Sequence, residues 1–221
     1  MKPKNLKFPF SWDERRPAVH EGVLIVPQYY EEHGLWQPSE EFFPSDRPVC
    51  VEFCSGNGDW IIERAIANPS KFWIAVEMQF ERVRKIWSKM HNQSVENLLI
   101  VCGKAQEFTK YYLPKTSVDE VYVNFPDPWP KERHAKHRLI QSEFIELLSG
   151  VVKNQGVVTY ATDDPPYSKQ MIQVMLSDPN WKHLFPEPYY VQNWDDYGHS
   201  WFRNLWKEKG RDFFYMQFER L

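Results

Sequence analysis

From Val49 onward the chain alternates short apolar runs with amphipathic stretches, and this alternation constrains its fold more than any other feature. The apolar run 49–54, bounded by Pro48 and Gly56, reads as a buried strand. Residues 57–67 carry Trp60, Ile61, Ala65 and Ile66 at helical spacing, and Asn68-Pro69 stops them. A second strand over 72–76 ends at Glu77. Phe80, Val83, Ile86, Trp87 and Met90 then mark one face of an amphipathic helix. The same reading predicts strands at 98–102, 118–125 and 156–161, helices at 141–152 and 167–176, and a late strand at 213–218. Strands alternating with helices imply βαβ units, hence an α/β fold whose mostly parallel, doubly wound sheet is covered on both faces. In such sheets ligands bind beyond the carboxyl ends of the strands, so the residues just after each strand carry the functional information.

The segment before the alternation is different. Residues 1–46 hold six of the 17 prolines and show no clean period, so they read as a wrapping arm with little regular structure, ending in a short helix near 38–43. Its Trp12, Tyr29, Tyr30 and Trp36 are expected to cover the core. Residues 47–221 form the main domain. No apolar run approaches the roughly 18 residues needed to span a bilayer. The first 16 residues lack the apolar stretch of a secretory signal. Cys50, Cys54 and Cys102 form no CxxC pair and read as reduced thiols of a cytoplasmic protein. The histidines are scattered apart from His134 and His137, with no third ligand near them, so no metal site is expected. Nucleotide P-loop and hydrolase-elbow motifs are absent. A formal net charge of −3 does not itself suggest a nucleic-acid binder, but phosphate binding depends on local patches.

Four strand ends carry chemistry. After the first comes Glu52-Phe-Cys-Ser-Gly56-Asn57-Gly58, whose glycines permit a tight turn and a close backbone approach. Ile61 stands where a dinucleotide fingerprint wants a third glycine, which counts against a nicotinamide cofactor. Glu77, 21 residues beyond Gly56, suits hydrogen bonds to a ribose diol. Together they fit an adenosine-bearing cofactor, NAD or S-adenosylmethionine. After the strand at 118–125, Pro126, Pro128 and Pro130 stiffen a loop that holds Asp127 in place beside Trp129. Lys131, Arg133, His134, Lys136, His137 and Arg138 follow as a cationic stripe next to that aromatic, which reads as a phosphate-contacting surface. After the strand at 156–161, Asp163 precedes Asp164-Pro-Pro-Tyr167. That DPPY string matches the motif of amino-methyltransferases but follows the wrong strand, so Asp164 reads instead as the N-cap of the next helix.

In order and spacing from about 49 to 175, these residues resemble the bacterial tRNA (guanine-N7-)-methyltransferase family. The most specific element is Phe125-Pro-Asp-Pro-Trp-Pro-Lys131 with Arg133, His134, Lys136 and Arg138 behind it, and Thr162-Asp163 also matches. The resemblance implies a Rossmann-like class I methyltransferase fold with a seven-stranded, mostly parallel sheet and an antiparallel late strand. It implies S-adenosylmethionine as cofactor and tRNA as partner, with no membrane and no metal. By position it implies that Glu52, Gly56, Gly58, Glu77, Lys104, Ala105 and Asp127 line the cofactor site, with Glu52 near the methionine moiety and Glu77 on the ribose. Asp127 matches the residue usually marked as the active-site aspartate. Lys131, Asp163, Ser200 and Arg203 match substrate positions, and Arg133, Lys136 and Arg138 are candidates for tRNA phosphates. Two positions depart from the family pattern. Lys104 stands where an acidic or Asn residue is usual, so adenine recognition falls to backbone or another side chain. Arg203 replaces a carboxylate, and because Arg accepts no hydrogen bond, Asp163 or Asp127 would have to accept from guanine. The alternatives of the same fold are a non-catalytic tRNA-binding module and an amino-methyltransferase using residues 164–167.

Overall fold

The computed structural model describes residues 1–35, 42–192, 194, 197–198 and 201–221. Among the described residues nine strands form one sheet: β1 (Ala18–His20), β2 (Val23–Ile25), β3 (Val49–Phe53), β4 (Phe72–Glu77), β5 (Leu98–Cys102), β6 (Val118–Asn124), β7 (Val152–Thr162), β8 (Trp181–His183) and β9 (Phe214–Arg220). They lie side by side in the order β1-β2-β5-β4-β3-β6-β7-β9-β8. The strands from β2 through β7 pair in parallel, while β1 and the β9-β8 pair run antiparallel to their neighbours. β3 to β9 correspond to the seven strands that the family resemblance implies, β1 and β2 extend the sheet beyond them, and the reversal of order falls at β3.

Side-chain alternation along the strands builds two cores. Val49, Val51, Phe53, Ile74 and Val76 face one side of the sheet. There they meet Phe108 of α3 (Ala105–Tyr111), Phe144 and Ile145 of α4 (Ser142–Val151), and Tyr167 and Met171 of α5 (Pro165–Ser177). Cys50, Trp73, Ala75 and Ile100 face the other side. They meet Trp60 and Ile61 of α1 (Asp59–Ala67), and Ile86 and Trp87 of α2 (Phe80–Asn92). A sheet buried on both faces explains why its strands read as continuous apolar runs. A sixth helix, α6 (Trp201–Glu208), precedes β9.

The arm needs correction. It was expected to lack regular structure, yet it adds β1 and β2 to the sheet edge. Glu21 and Gly22, both with positive φ (51° and 75°), close a two-residue hairpin whose twist suits the paired strands. Val23, Leu24 and Ile25 are fully buried against β5. Three-residue strands are too short to show a period, so the arm looked irregular. Gly103 explains how closely the arm fits, since a Cβ there would stand 2.6 Å from Val26 Cβ. Tyr29 does not cover the core but is exposed, and Tyr30 packs edge-on against the buried His33. Residues 36–41, with Trp36 and most of the expected 38–43 helix, lie outside the described residues, as does the Trp12 side chain; Phe42 and Phe43 sit in a turn and bend. The sequence reading also missed α3, β8 and α6, all short. Cys50 and Cys102 are buried and Cys54 half-buried, all three as free thiols.

Candidate active site

Register brings the strand ends together. Phe53 pairs with Val76 and Val123, Glu77 with Cys102, and Asn124 with Ala161. The glycine turn, Glu77, Lys104, the Asp127 loop and Asp163 therefore meet at one edge of the sheet, the carboxyl edge where ligands bind in this architecture.

The glycine turn is held by Glu77. Gly56 N donates to Glu77 Oε2 (2.9 Å), Gln79 N donates to Oε1 (2.8 Å), and Arg82 stands 3.7 Å away. Burial raises the Glu77 pKa against these influences and that of the Met78 backbone N–H. A carboxylate has about four acceptor sites, so Glu77 retains capacity for a further hydroxyl donor. Gly58 has φ +79°, and a Cβ there would lie 2.8 Å from Ile86 Cγ1. Close packing against α2 demands this glycine, whatever the ligand.

Glu52 sits beside the turn, 1% exposed. Its Oε1 accepts from Asn124 Nδ2 (2.7 Å), while Oε2 is buried and has no hydrogen-bond partner among the described residues. The Tyr197 hydroxyl donates to Asn124 Oδ1, and Trp60 Nε1 donates to the Tyr197 carbonyl (2.6 Å). Burial pushes the Glu52 pKa up to about 7, opposed by the Asn124 hydrogen bond and by the nearby Ser55 hydroxyl, which donates to the Glu52 backbone carbonyl (3.0 Å). A buried anion with one vacant oxygen is costly unless a cationic donor reaches it. Asn124 and Tyr197 were not picked out in the sequence. Asn124 could have been, as the last residue of the strand beside that of Glu52. Tyr197, 137 residues from its Trp60 partner, left no signal.

The proline loop is braced from below. Phe125 (φ 48°) and Trp129 (φ 42°) both adopt the left-handed conformation, unusual for bulky residues and a mark of functional loops. Between them Asp127 is exposed and accepts from Trp129 N (3.3 Å). Arg138, a phosphate candidate by sequence, braces this loop. Its Nε donates to the Pro128 carbonyl (2.7 Å), its Nη1 to Gln170 Oε1, and its guanidinium lies 5.0 Å from the Tyr167 ring. Lys131, Arg133 and Lys136 are exposed on or beside a 3-10 helix, Glu132–His137. The Trp129 ring packs beside His134 and His137, with centroids 5.9 and 5.3 Å away.

The remaining positions divide. Asp163 is largely buried, and Arg211, which the sequence reading passed over, pairs with its Oδ2. Arg211 also lies over the Trp206 ring, 3.9 Å from its centroid. Arg203 is buried and donates from Nε to the Tyr215 hydroxyl (3.0 Å). Ser200 lies outside the described residues. Lys104 occupies the N-cap position of α3 without a side-chain capping bond, stands 3.5 Å from Glu107 and lies 5.2 Å from the Tyr29 ring centroid, with Ala105 opening the helix. Asp164 is the N-cap of α5, accepting from Tyr167 N (2.8 Å), and the Tyr167 hydroxyl accepts from Ile140 N (3.1 Å). The DPPY string is thus a helix start.

A putative-methyltransferase family model matches residues 46–216. A tRNA (guanine-N(7)-)-methyltransferase of Chlamydia felis is 50% identical over 99% of this chain and 97% of its own length. One from Yersinia pseudotuberculosis is 32% identical over 80% of this chain and 74% of its own. The chain belongs to the tRNA (guanine-N7-)-methyltransferase family. Solved structures of an rRNA methylase from Streptococcus thermophilus (TM-score 0.53, 15% identity) and of the 16S rRNA methyltransferase KamB (TM-score 0.60, 16% identity) share its fold. The chain covers 90% and 92% of those structures, and each alignment spans 82% of it. In this methyltransferase no described helix is long and apolar enough to cross a membrane, and no described group of His, Cys, Asp and Glu is arranged to hold a metal ion.

Proposed function

We propose that this methyltransferase uses S-adenosylmethionine to methylate N7 of the variable-loop guanosine of tRNA, in the cytoplasm. The observation that carries the reading is the vacant, buried Glu52 Oε2 at the same sheet edge as the exposed Asp127. The names of the relatives support the tRNA substrate. S-adenosylmethionine, when bound, supplies an electrophilic methyl on a sulfonium, together with an ammonium and a ribose diol. Glu52 suits the ammonium and Glu77 the diol. Asn124 and Tyr197 hold Glu52 in place from below.

Guanine N7 carries an in-plane lone pair and no proton, so no general base is required. The methylated base is cationic. Asp127 therefore acts as a positioner and an electrostatic partner rather than as a base. Holding the reactants in line can supply roughly 7–11 kcal/mol of the barrier. Asp163 retains Oδ1 for a guanine N–H while Arg211 secures Oδ2. Lys131, Arg133 and Lys136 would contact phosphates. The decisive experiment incubates the protein with radiolabelled S-adenosylmethionine and unmodified tRNA, then identifies the nucleoside. Label in 7-methylguanosine, lost when the variable-loop guanosine is replaced, establishes the reading. Label elsewhere, or tRNA binding without label, would overturn it.

A further inference from the structure

We infer that the first ten residues and α2 form a second tRNA-binding rail, running from the cofactor edge along the opposite face of the sheet from the Lys131–Lys136 stripe. The inference rests on the tRNA reading above. Residues 1–10 carry Lys2, Lys4 and Lys7 and no carboxylate. Helix α2 adds Arg82, Arg84, Lys85 and Lys89 against Glu81 alone. Seven cations against one carboxylate stand out on a chain of formal net charge −3.

The segment is docked along the helix. Leu6 is 1% exposed. Ser88 Oγ (2.8 Å) and Asn92 Nδ2 (2.9 Å) donate to the Met1 carbonyl, and Arg84 Nε donates to the Pro3 carbonyl (2.9 Å). Phe8 packs edge-on against Phe80, with centroids 5.1 Å apart. The segment therefore runs antiparallel to α2, from Asn92 back to Phe80, three residues beyond Glu77. Thirteen helical residues make this track about 20 Å long.

Some of its charge is spent locally. Arg84 pairs with Glu81, Lys89 with Asp59, and Arg82 faces Glu77. Lys2, Lys4, Lys7 and Lys85 are exposed, and among the described residues no carboxylate pairs with them. At the cofactor end Phe8 is 43% exposed and offers a face on which a base can stack. A row of unpaired lysines leading to a stacking ring fits a phosphate backbone. A membrane surface fits less well, because the apolar face of α2 (Val83, Ile86, Trp87) is buried in the core. The Lys131–Lys136 stripe leads toward α4 and α5, on the other side, so a tRNA presented to the edge meets cations on both flanks.

The test measures tRNA affinity against salt for wild type and for the combined variant Lys2→Gln, Lys4→Gln, Lys7→Gln. These side chains are exposed, so folding is preserved. Each lost contact removes about 0.7–0.9 from the slope of log K against log salt. The triple variant is expected to lose about 2 from the slope and to raise the tRNA KM, with kcat and S-adenosylhomocysteine affinity unchanged. Lys115→Gln with Lys182→Gln, away from the rail, should leave the slope intact. A triple variant that methylates tRNA with the wild-type slope would overturn the rail alone. So would an unchanged slope with lost binding to phosphatidylserine vesicles, which would assign the segment to membranes. A wild-type protein that binds no tRNA would overturn the rail together with the function.

Discussion

Glu52→Gln separates what the site needs for binding from what the fold would choose. In the folded protein burial lifts this carboxyl from 4.5 to about 7. The folded state then holds a proton that the unfolded chain has released between those values. Stability therefore falls as pH rises from about 4.5 to 7 and stays lower above it. A difference of about 2.5 in pKa corresponds to roughly 3 kcal/mol. The glutamine side chain of the variant would still accept from Asn124 and would carry no charge. Without ligand, the variant should match wild type near pH 4.5 and exceed it by up to about 3 kcal/mol at pH 8.5. Urea unfolding at the two pH values measures this. Calorimetry supplies the other half. A cationic ammonium on Oε2 would pull the proton off, so wild type at pH 6 should release protons on binding S-adenosylhomocysteine. The variant should release none and should bind more weakly. If the variant were no more stable than wild type at pH 8.5, Glu52 would not be the strained anion described above. If it bound the ligand normally, the ammonium would lie elsewhere.

Three further outcomes follow from the geometry. Asp127→Asn should keep part of the methyl-transfer rate and Asp127→Ala should lose more; equal, complete loss in both with tRNA binding intact would refute the electrostatic role. Gly58→Ala should lower stability by about 1–3 kcal/mol, because the new Cβ meets Ile86 at 2.8 Å and φ is +79°; an unchanged urea midpoint would show that α2 yields freely. Asp164→Ala should cost about 1 kcal/mol through the lost N-cap while leaving kcat intact; abolished turnover in a folded variant would return residues 164–167 to the chemistry.

How much was legible in the sequence depends on the range of the interaction. The strands β3 to β7 were readable as short apolar runs, because the sheet is buried on both faces, and the helices α1, α2, α4 and α5 because each buries one face at a period of 3.6 residues. Their boundaries moved by a few residues at most, as when 156–161 proved to be the end of the longer β7. The candidates Glu77 and Asp127 were legible because each ends or follows a readable strand, whereas Glu52, inside β3, was singled out by the glycine turn after it and by the family resemblance. The arm strands, three residues each, escaped because their stability comes from β5 and not from a pattern of their own.

What the sequence by itself determined is the parallel sheet and the set of side chains at its carboxyl edge, since periodicity and turn residues act between near neighbours. Tertiary structure alone decided what those side chains do to one another. Arg138 joined the Pro128 carbonyl to Gln170 and the Tyr167 ring. Arg211 reached back 48 residues to Asp163. Glu52 kept one oxygen bonded to Asn124 and the other vacant. Charge pairing and burial act through space, between residues that only the fold brings within a few ångströms.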